Sequence, residues 1–184
     1  MLYELFRADE NRVDNRRGKS VSRIDSIQQF YNIPPGVQII TVEDNSCKNS
    51  IDIIQLNGYH ELRLLHVKSN CFDHVKTVSI TDMPKLEVTI VDSASFAFGV
   101  REYAYCESNP DISLTIANCP MLHTLVIGEK SFSSFGKCVL SNLPRLQRVE
   151  FGKMNTTGAS CFYQASLELK SKSMKLPDEQ TCRF

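Results

Sequence analysis

The stretch LRLLHVKSNCF, residues 62–72, places apolar side chains at its first, fourth and sixth positions, Leu62, Leu65 and Val67. Four further stretches superpose on it: VQIITVEDNSC (37–47), LEVTIVDSASF (86–96), LHTLVIGEKSF (122–132) and LQRVEFGKMNT (146–156). Their matching residues are Val37/Ile40/Val42, Leu86/Thr89/Val91, Leu122/Leu125/Ile127 and Leu146/Val149/Phe151. From the fourth position to the sixth the spacing is two, the period of a strand whose successive side chains face opposite ways.

A second register runs between these stretches. Ile54-x-Leu56, Val78-x-Ile80, Leu114-x-Ile116, Cys138-x-Leu140 and Leu167-x-Leu169 are short alternations, and each of the first four ends six residues before the next repeat-starting leucine. Two residues before each repeat start sits a turn position, filled by Pro35, His60, Pro84, Pro120 and Pro144. Proline there stops the short strand and sets the bend. The starts lie 25, 24, 36 and 24 residues apart. Recurrence at that interval predicts stacked repeats, in which no single repeat buries its own apolar face.

The pattern resembles the leucine-rich-repeat signature LxxLxLxxNxL over roughly residues 37–169. The Asn position is kept as Asn45 and Asn70, and the last apolar position as Phe72, Phe96 and Phe132, with Cys47 in the first copy. Departures are Ala94, Lys130 and Met154 at the Asn site and Thr89 at the middle leucine. The repeat length is similar to that of the repeats expanded in protists and of the bacterial-surface type. In the family, the Asn side chain ties a tight bend to the neighbouring coil, so three of the copies lack that tie. The resemblance implies a mainly-β leucine-rich-repeat solenoid of about five coils. Because β-branched residues occupy the V-x-I segments over only three or four positions, the second face is expected to be strand rather than helix. Two parallel sheets follow, stacked over about 24 Å at the usual strand spacing.

A solenoid needs caps. Asp25 followed by Ile27, Phe30 and Tyr31 at helical spacing predicts a short N-terminal capping helix covering the first coil, with Pro34-Pro35-Gly36 turning the chain inward. Residues 7–23 are charged and aperiodic, as expected of a mobile arm. The chain is therefore divided into an arm and cap (1–36), the solenoid (37–170) and a C-terminal tail (171–184). Two places break the period. Phe96 to Leu114 spans 18 residues where the neighbouring repeats have six, an insertion near 97–112, and Leu140 to Leu169 spans 29 rather than 24.

Composition narrows the function. With 21 basic and 21 acidic residues the formal charge is zero, which argues against nucleic acid as partner. No segment approaches the roughly 18 apolar residues of a membrane span, and MLYELFRADENRVDNRRGKS has no signal-peptide core. Seven cysteines without an export signal read as reduced thiols, so a cytoplasmic location is expected.

In the LxxLxL strands the third and fifth positions point outward. They are Ile39/Thr41, Leu64/His66, Val88/Ile90, Thr124/Val126 and Arg148/Glu150. Apolar in the middle and polar at one end, they form a candidate binding face, although β propensity alone also places Val and Ile on such surfaces. The corresponding positions of the second sheet, Gln55, Ser79, Thr115, Val139 and Glu168, are mostly polar. The insertion adds Arg101, Tyr103 and Tyr105, residue types enriched at binding hot spots; an ordinary loop reads equally well.

The sequence offers little chemistry. Cys47, Cys71, Cys119 and Cys138 take repeat positions as small buried hydrophobes. Cys71-x-x-His74 is half a metal site with no second pair at ligand spacing. The four histidines have structural explanations, and no nucleophile elbow is present. Gly18-Lys19-Ser20 lacks the rest of a phosphate loop. Asn155-Thr156-Thr157 is a glycosylation sequon without an export signal, and Cys182 is too near the end for prenylation. The expectation is a non-enzymatic scaffold with no cofactor or metal, binding a protein partner. The alternatives are a self-associating structural solenoid, or a surface adhesin with an incomplete N-terminus.

Overall fold

A computed structural model describes residues 20–48, 51–97, 109–152, 161–162 and 165–171. The described residues are mainly strand, in two parallel sheets, with one helical turn among them. The chain enters through β1 (Val21–Ile24) and α1 (Ile27–Tyr31). It then alternates between sheets through β2 (Ile39–Val42), β3 (Ile53–Asn57), β4 (Leu64–Val67), β5 (Thr77–Thr81) and β6 (Val88–Val91). The remaining strands are β7 (Asn109–Ala117), β8 (Thr124–Ile127), β9 (Phe135–Ser141), β10 (Arg148–Phe151) and β11 (Ser166–Lys170). One sheet has the order β1-β2-β4-β6-β8-β10, and the other β11-β9-β7-β5-β3. Each circuit of the chain thus adds one strand to each sheet.

The register follows the sequence columns. Ile40 pairs with Leu65, Leu65 with Thr89, Thr89 with Leu125 and Leu125 with Val149. Of these, Ile40, Leu65 and Leu125 join Ile54, Leu56, Val78, Ile80, Leu114, Ile116, Cys138 and Leu140 in one continuous core between the sheets. Thr89 sits in this column fully buried with its hydroxyl unpaired. At the turn positions a backbone N–H reaches back three residues, as in Val37 to Pro34, Leu86 to Met83, Leu122 to Cys119 and Leu146 to Leu143. Pro35, Pro84, Pro120 and Pro144 each occupy the second residue of that turn, where a fixed φ is favourable.

Each circuit also contains left-handed residues at repeating places. One column is Asn45, Asn70, Ala94 and Lys130; a second, two residues on, is Cys47, Phe72, Phe96 and Phe132; a third follows the other sheet, at Gly58, Asp82, Asn118 and Asn142. Asn, Asp and Gly suit that conformation. Phenylalanine does not, and its strain of roughly 1–3 kcal/mol needs an offset. The offset is aromatic packing: Phe72 stacks on Phe96 at 5.1 Å, Phe96 on Phe132 at 4.6 Å, and Phe132 on Phe162 at 5.2 Å, while Phe30 meets Phe72 edge-on.

Several expectations are corrected. Residues 21–23 of the expected mobile arm, with Ile24, form β1, because Val21 and Ile24 flank β2 in parallel register and Ile24 is buried. Ile27 and Phe30 of α1 pack inward, but Tyr31, the last residue of the helical turn, is 67% exposed. The helix N-cap Ser26 makes no side-chain cap; the Asp25 N–H donates to Gln29 Oε1 instead. Residues 109–112 of the expected insertion extend β7, with a register irregularity between Asn109 and Ser113, and Ile112 joins the core. In the last circuit the phenylalanine place is taken by Phe162, six residues beyond the Thr156 that the repeat template assigned to it. The additional length lies between Phe151 and Cys161.

The tie between circuits also differs from expectation. It is carried by the residue after the Asn position. Ser95 Oγ donates to the Lys68 carbonyl (2.7 Å) and accepts from the Cys71 N–H (3.1 Å). Ser131 repeats both bonds, to the Asp92 carbonyl and from the Ser95 N–H. Cys71 and Cys161 make the donating half, to the carbonyls of Glu43 and Gly128. A buried Ser/Cys ladder therefore holds the bends whether or not Asn precedes it.

Candidate functional site

The outer surface of the six-stranded sheet gathers the expected outward residues into two straight columns. Val21, Ile39, Leu64, Val88, Thr124 and Arg148 are successive partners in one; Arg23, Thr41, His66, Ile90, Val126 and Glu150 are successive partners in the other. Ile39 and Ile90 lie outside the core cluster, as their outward direction requires.

These columns are flatter than scattered exposure would suggest. Ile39, Thr41, His66, Ile90 and Thr124 are each buried, although they face out. Strands of a parallel sheet sit under 5 Å apart, so column neighbours cover one another's flanks and only their tips meet solvent. Leu64, Val88, Val126 and Arg148 are half-buried, and Glu150 is exposed. Arg101, Tyr103 and Tyr105 lie outside the described residues.

Polar side chains border the columns. His66 Nε2 lies 2.9 Å from Asp92 Oδ2, both largely buried. Arg63 pairs with Glu87 at 2.9 Å across one circuit, and Lys68 with Glu43. Thr124 Oγ1 contacts His123 Nδ1 at 2.9 Å. Sequence reading singled out His66 but not Asp92, because its partner stands 26 residues away in the next circuit. The available signal was the column one residue beyond each strand: Glu43, Lys68, Asp92, Gly128 and Gly152.

The two glycines in that column shape the surface. A Cβ at Gly128 would lie 2.7 Å from the backbone of Asp92 and Ser93, and one at Gly152 2.8 Å from Glu129 Cα. Glycine lets successive circuits approach there, and no side chain fills the space that Lys68 and Asp92 occupy earlier. An open groove of about 700 Å³ results at the ends of β6, β8 and β10, with Asp92, Glu129 and Glu150 on its walls and Val126, Val149 and Phe151 among its apolar residues.

Burial raises every described thiol. Cys47 and Cys138 are pushed up to about 12, and Cys71, Cys119 and Cys161 are raised. Thiols so held stay protonated at neutral pH and are poor nucleophiles. Among the described residues no group of three or more His, Cys, Asp or Glu could hold a metal ion. No described helix is long and apolar enough to cross a membrane. No protein-family model matches the chain, and neither a curated protein nor a solved structure is significantly similar to it.

Proposed function

We propose that the chain is a leucine-rich-repeat-type solenoid, capped at its N-terminal end by α1, that acts in the cytoplasm as a non-enzymatic protein-recognition scaffold. The observation carrying this reading is the six-strand registry that aligns Leu64, Val88 and Val126 beside Thr124, Arg148 and Glu150 on one face. Flat, mostly neutral columns with half-buried aliphatic tips suit a partner surface that dries the tips on contact. The titratable groups of the same face are paired within the sheet, as His66 is with Asp92.

Affinity capture with the immobilised chain tests this reading. Leu64→Glu with Val88→Glu charges two half-buried tips and should abolish capture of partners that the wild-type chain retains, with the circular dichroism spectrum unchanged. Ile90 is the wrong position for such a test, because at 7% exposure a charge there would disturb the sheet itself. Capture that survives the double substitution overturns the proposal.

A further inference from the structure

One column of side chains departs from its own pairing pattern. The residue immediately before each repeat-starting leucine stands on the bend that leads from the five-stranded sheet to the six-stranded one. In successive circuits it is Glu61, Lys85, Met121 and Arg145. Glu61 and Lys85 form an ion pair across one circuit, with Lys85 Nζ 2.7 and 2.8 Å from the two carboxylate oxygens. Met121 and Arg145 repeat that relation in the next two circuits, again 24 residues apart, but here the cation meets sulfur. Arg145 Nη1 donates to Met121 Sδ at 3.0 Å. A thioether is only a weak acceptor.

That arrangement suits an oxidised side chain better than a reduced one. The oxygen of a sulfoxide carries the negative end of a strong dipole, and a guanidinium bonds such an oxygen with charge assistance. Met121 is half-buried and Arg145 exposed, so the sulfur is within reach of solvent and its donor is already beside it. Met83, the other methionine among the described residues, is set the opposite way. It is 0% exposed in the preceding bend, where an added oxygen would enter the core.

We propose that Met121 is a site of reversible oxidation to methionine sulfoxide by peroxide, and that Arg145 receives the product oxygen. A sulfur lone pair attacks one oxygen of hydrogen peroxide and the O–O bond breaks. The departing oxygen takes the proton of the attacked one and leaves as water, so that sulfur loses two electrons and the peroxide gains them. The lone pair used is the one that Arg145 leaves free. Rotation about the last bonds of the unbranched side chain then brings the new oxygen to the guanidinium. Methionine sulfoxide reductases reverse the change. Oxidation thus tightens a tie between two circuits instead of breaking one, at a place apart from the outward columns proposed for recognition.

Treatment of the full chain with hydrogen peroxide, followed by peptide mass mapping and urea unfolding, tests it. Met121 should oxidise roughly tenfold faster than Met83, in keeping with its exposure. Unfolding is compared with that of Met121→Leu treated identically, so that the chain's other methionines cancel. Against that control, oxidation should raise the urea midpoint by about 0.2 M, the size expected of one exposed charge-assisted bond. Methionine sulfoxide reductases should return it to the starting value, and Arg145→Ala should abolish the rise. Oxidation of Met83 as fast as Met121, or a midpoint that stays level or falls against the control, would overturn the proposal. So would a rise that persists in Arg145→Ala, or a sulfoxide at Met121 that the reductases leave in place.

Discussion

The two ends of the stack present the same repeat columns and finish them differently. At the N-terminal end β1 flanks β2 while Ile27 and Phe30 of α1 fold inward, and Ile24, Ile40, Ile54 and Leu56 are all buried. At the other end Val149, Leu167 and Leu169 occupy inward positions of the same pattern at 39%, 42% and 69% exposure. Burial here belongs to the stack rather than to the residue: a side chain is covered only when a circuit lies on each side of it. Substitutions in one column should therefore cost very different amounts at different circuits.

The phenylalanine column should show the largest contrast. Phe96 lies between Phe72 and Phe132, stacked on both, and Phe96→Ala removes the middle of the aromatic file while leaving a strained left-handed backbone. A loss of about 3–5 kcal/mol is expected in urea titration, as for other buried aromatics. Phe162→Ala, with only partial burial and a stacked neighbour on one side, should lose less than half as much. Equal losses would mean that the stack unfolds from its middle and that both ends are held alike.

The aliphatic columns give the next test. Ile116 and Leu169 stand two circuits apart in one column, through Leu140, at 1% and 69% exposure. Ile116→Ala should destabilise by about 2–5 kcal/mol, whereas Leu169→Ala should stay within about 0.5 kcal/mol as a surface change. A large effect at Leu169 in chemical denaturation would show that something covers that end in solution.

Ser95→Ala probes the tie between circuits. It leaves the Lys68 carbonyl and the Cys71 N–H unpaired in a buried site, a cost of about 1–3 kcal/mol. Ser95→Cys should cost less, because Cys71 and Cys161 already make the donating bond from equivalent positions. Amide exchange at Cys71 reports the lost acceptor directly; unchanged protection in Ser95→Ala would refute the ladder.

How far the sequence could be read divides along the same line. Strand pairs 24 residues apart, turn prolines and inward columns were legible because spacing alone determines which side chains share a face, and paired residues such as Leu65 and Thr89 fall where the count places them. Strand β1 was hidden because VSRI is short and lies in a charged context, and its only signal is the neighbour it pairs with. The ladder was legible in principle, since Ser46, Cys71, Ser95, Ser131 and Cys161 each precede Cys or Phe, yet the family's Asn drew attention one residue too early. At the candidate face the outward directions were readable but the exposures were not. Ile90 and Thr124 are shielded by residues of adjacent circuits, a distance the strand count does not supply. The groove was unreadable for the same reason: it exists only where Gly128 and Gly152 fall side by side.

The smallest effect concerns how the exposed end is held. Glu168 in β11 lies 2.8 Å from Lys137 and 2.6 Å from Lys170, and its carboxyl is brought down to about 2, first by the Lys137 hydrogen bond and then by that of Lys170. Glu61, earlier in the stack, is also lowered, chiefly by its hydrogen bond to Lys85, with the neighbouring charges of Lys85, Arg63 and His60 adding to it. A carboxylate whose folded pKa is depressed contributes stability above its unfolded value near 4.5, and the contribution disappears as pH falls from there toward 2. The pair is solvent-exposed, so the effect on global unfolding should be slight and screened by salt. A carboxyl-carbon NMR titration resolves it locally: Glu168 should titrate near 2 in the wild-type chain and move up toward the ordinary glutamate range in Lys137→Met. Glu61 should be unmoved by that substitution. If Glu168 titrates as an ordinary glutamate in the wild type, the lysines do not pin β11, and the C-terminal end of the stack is looser than the register of β9 and β11 implies.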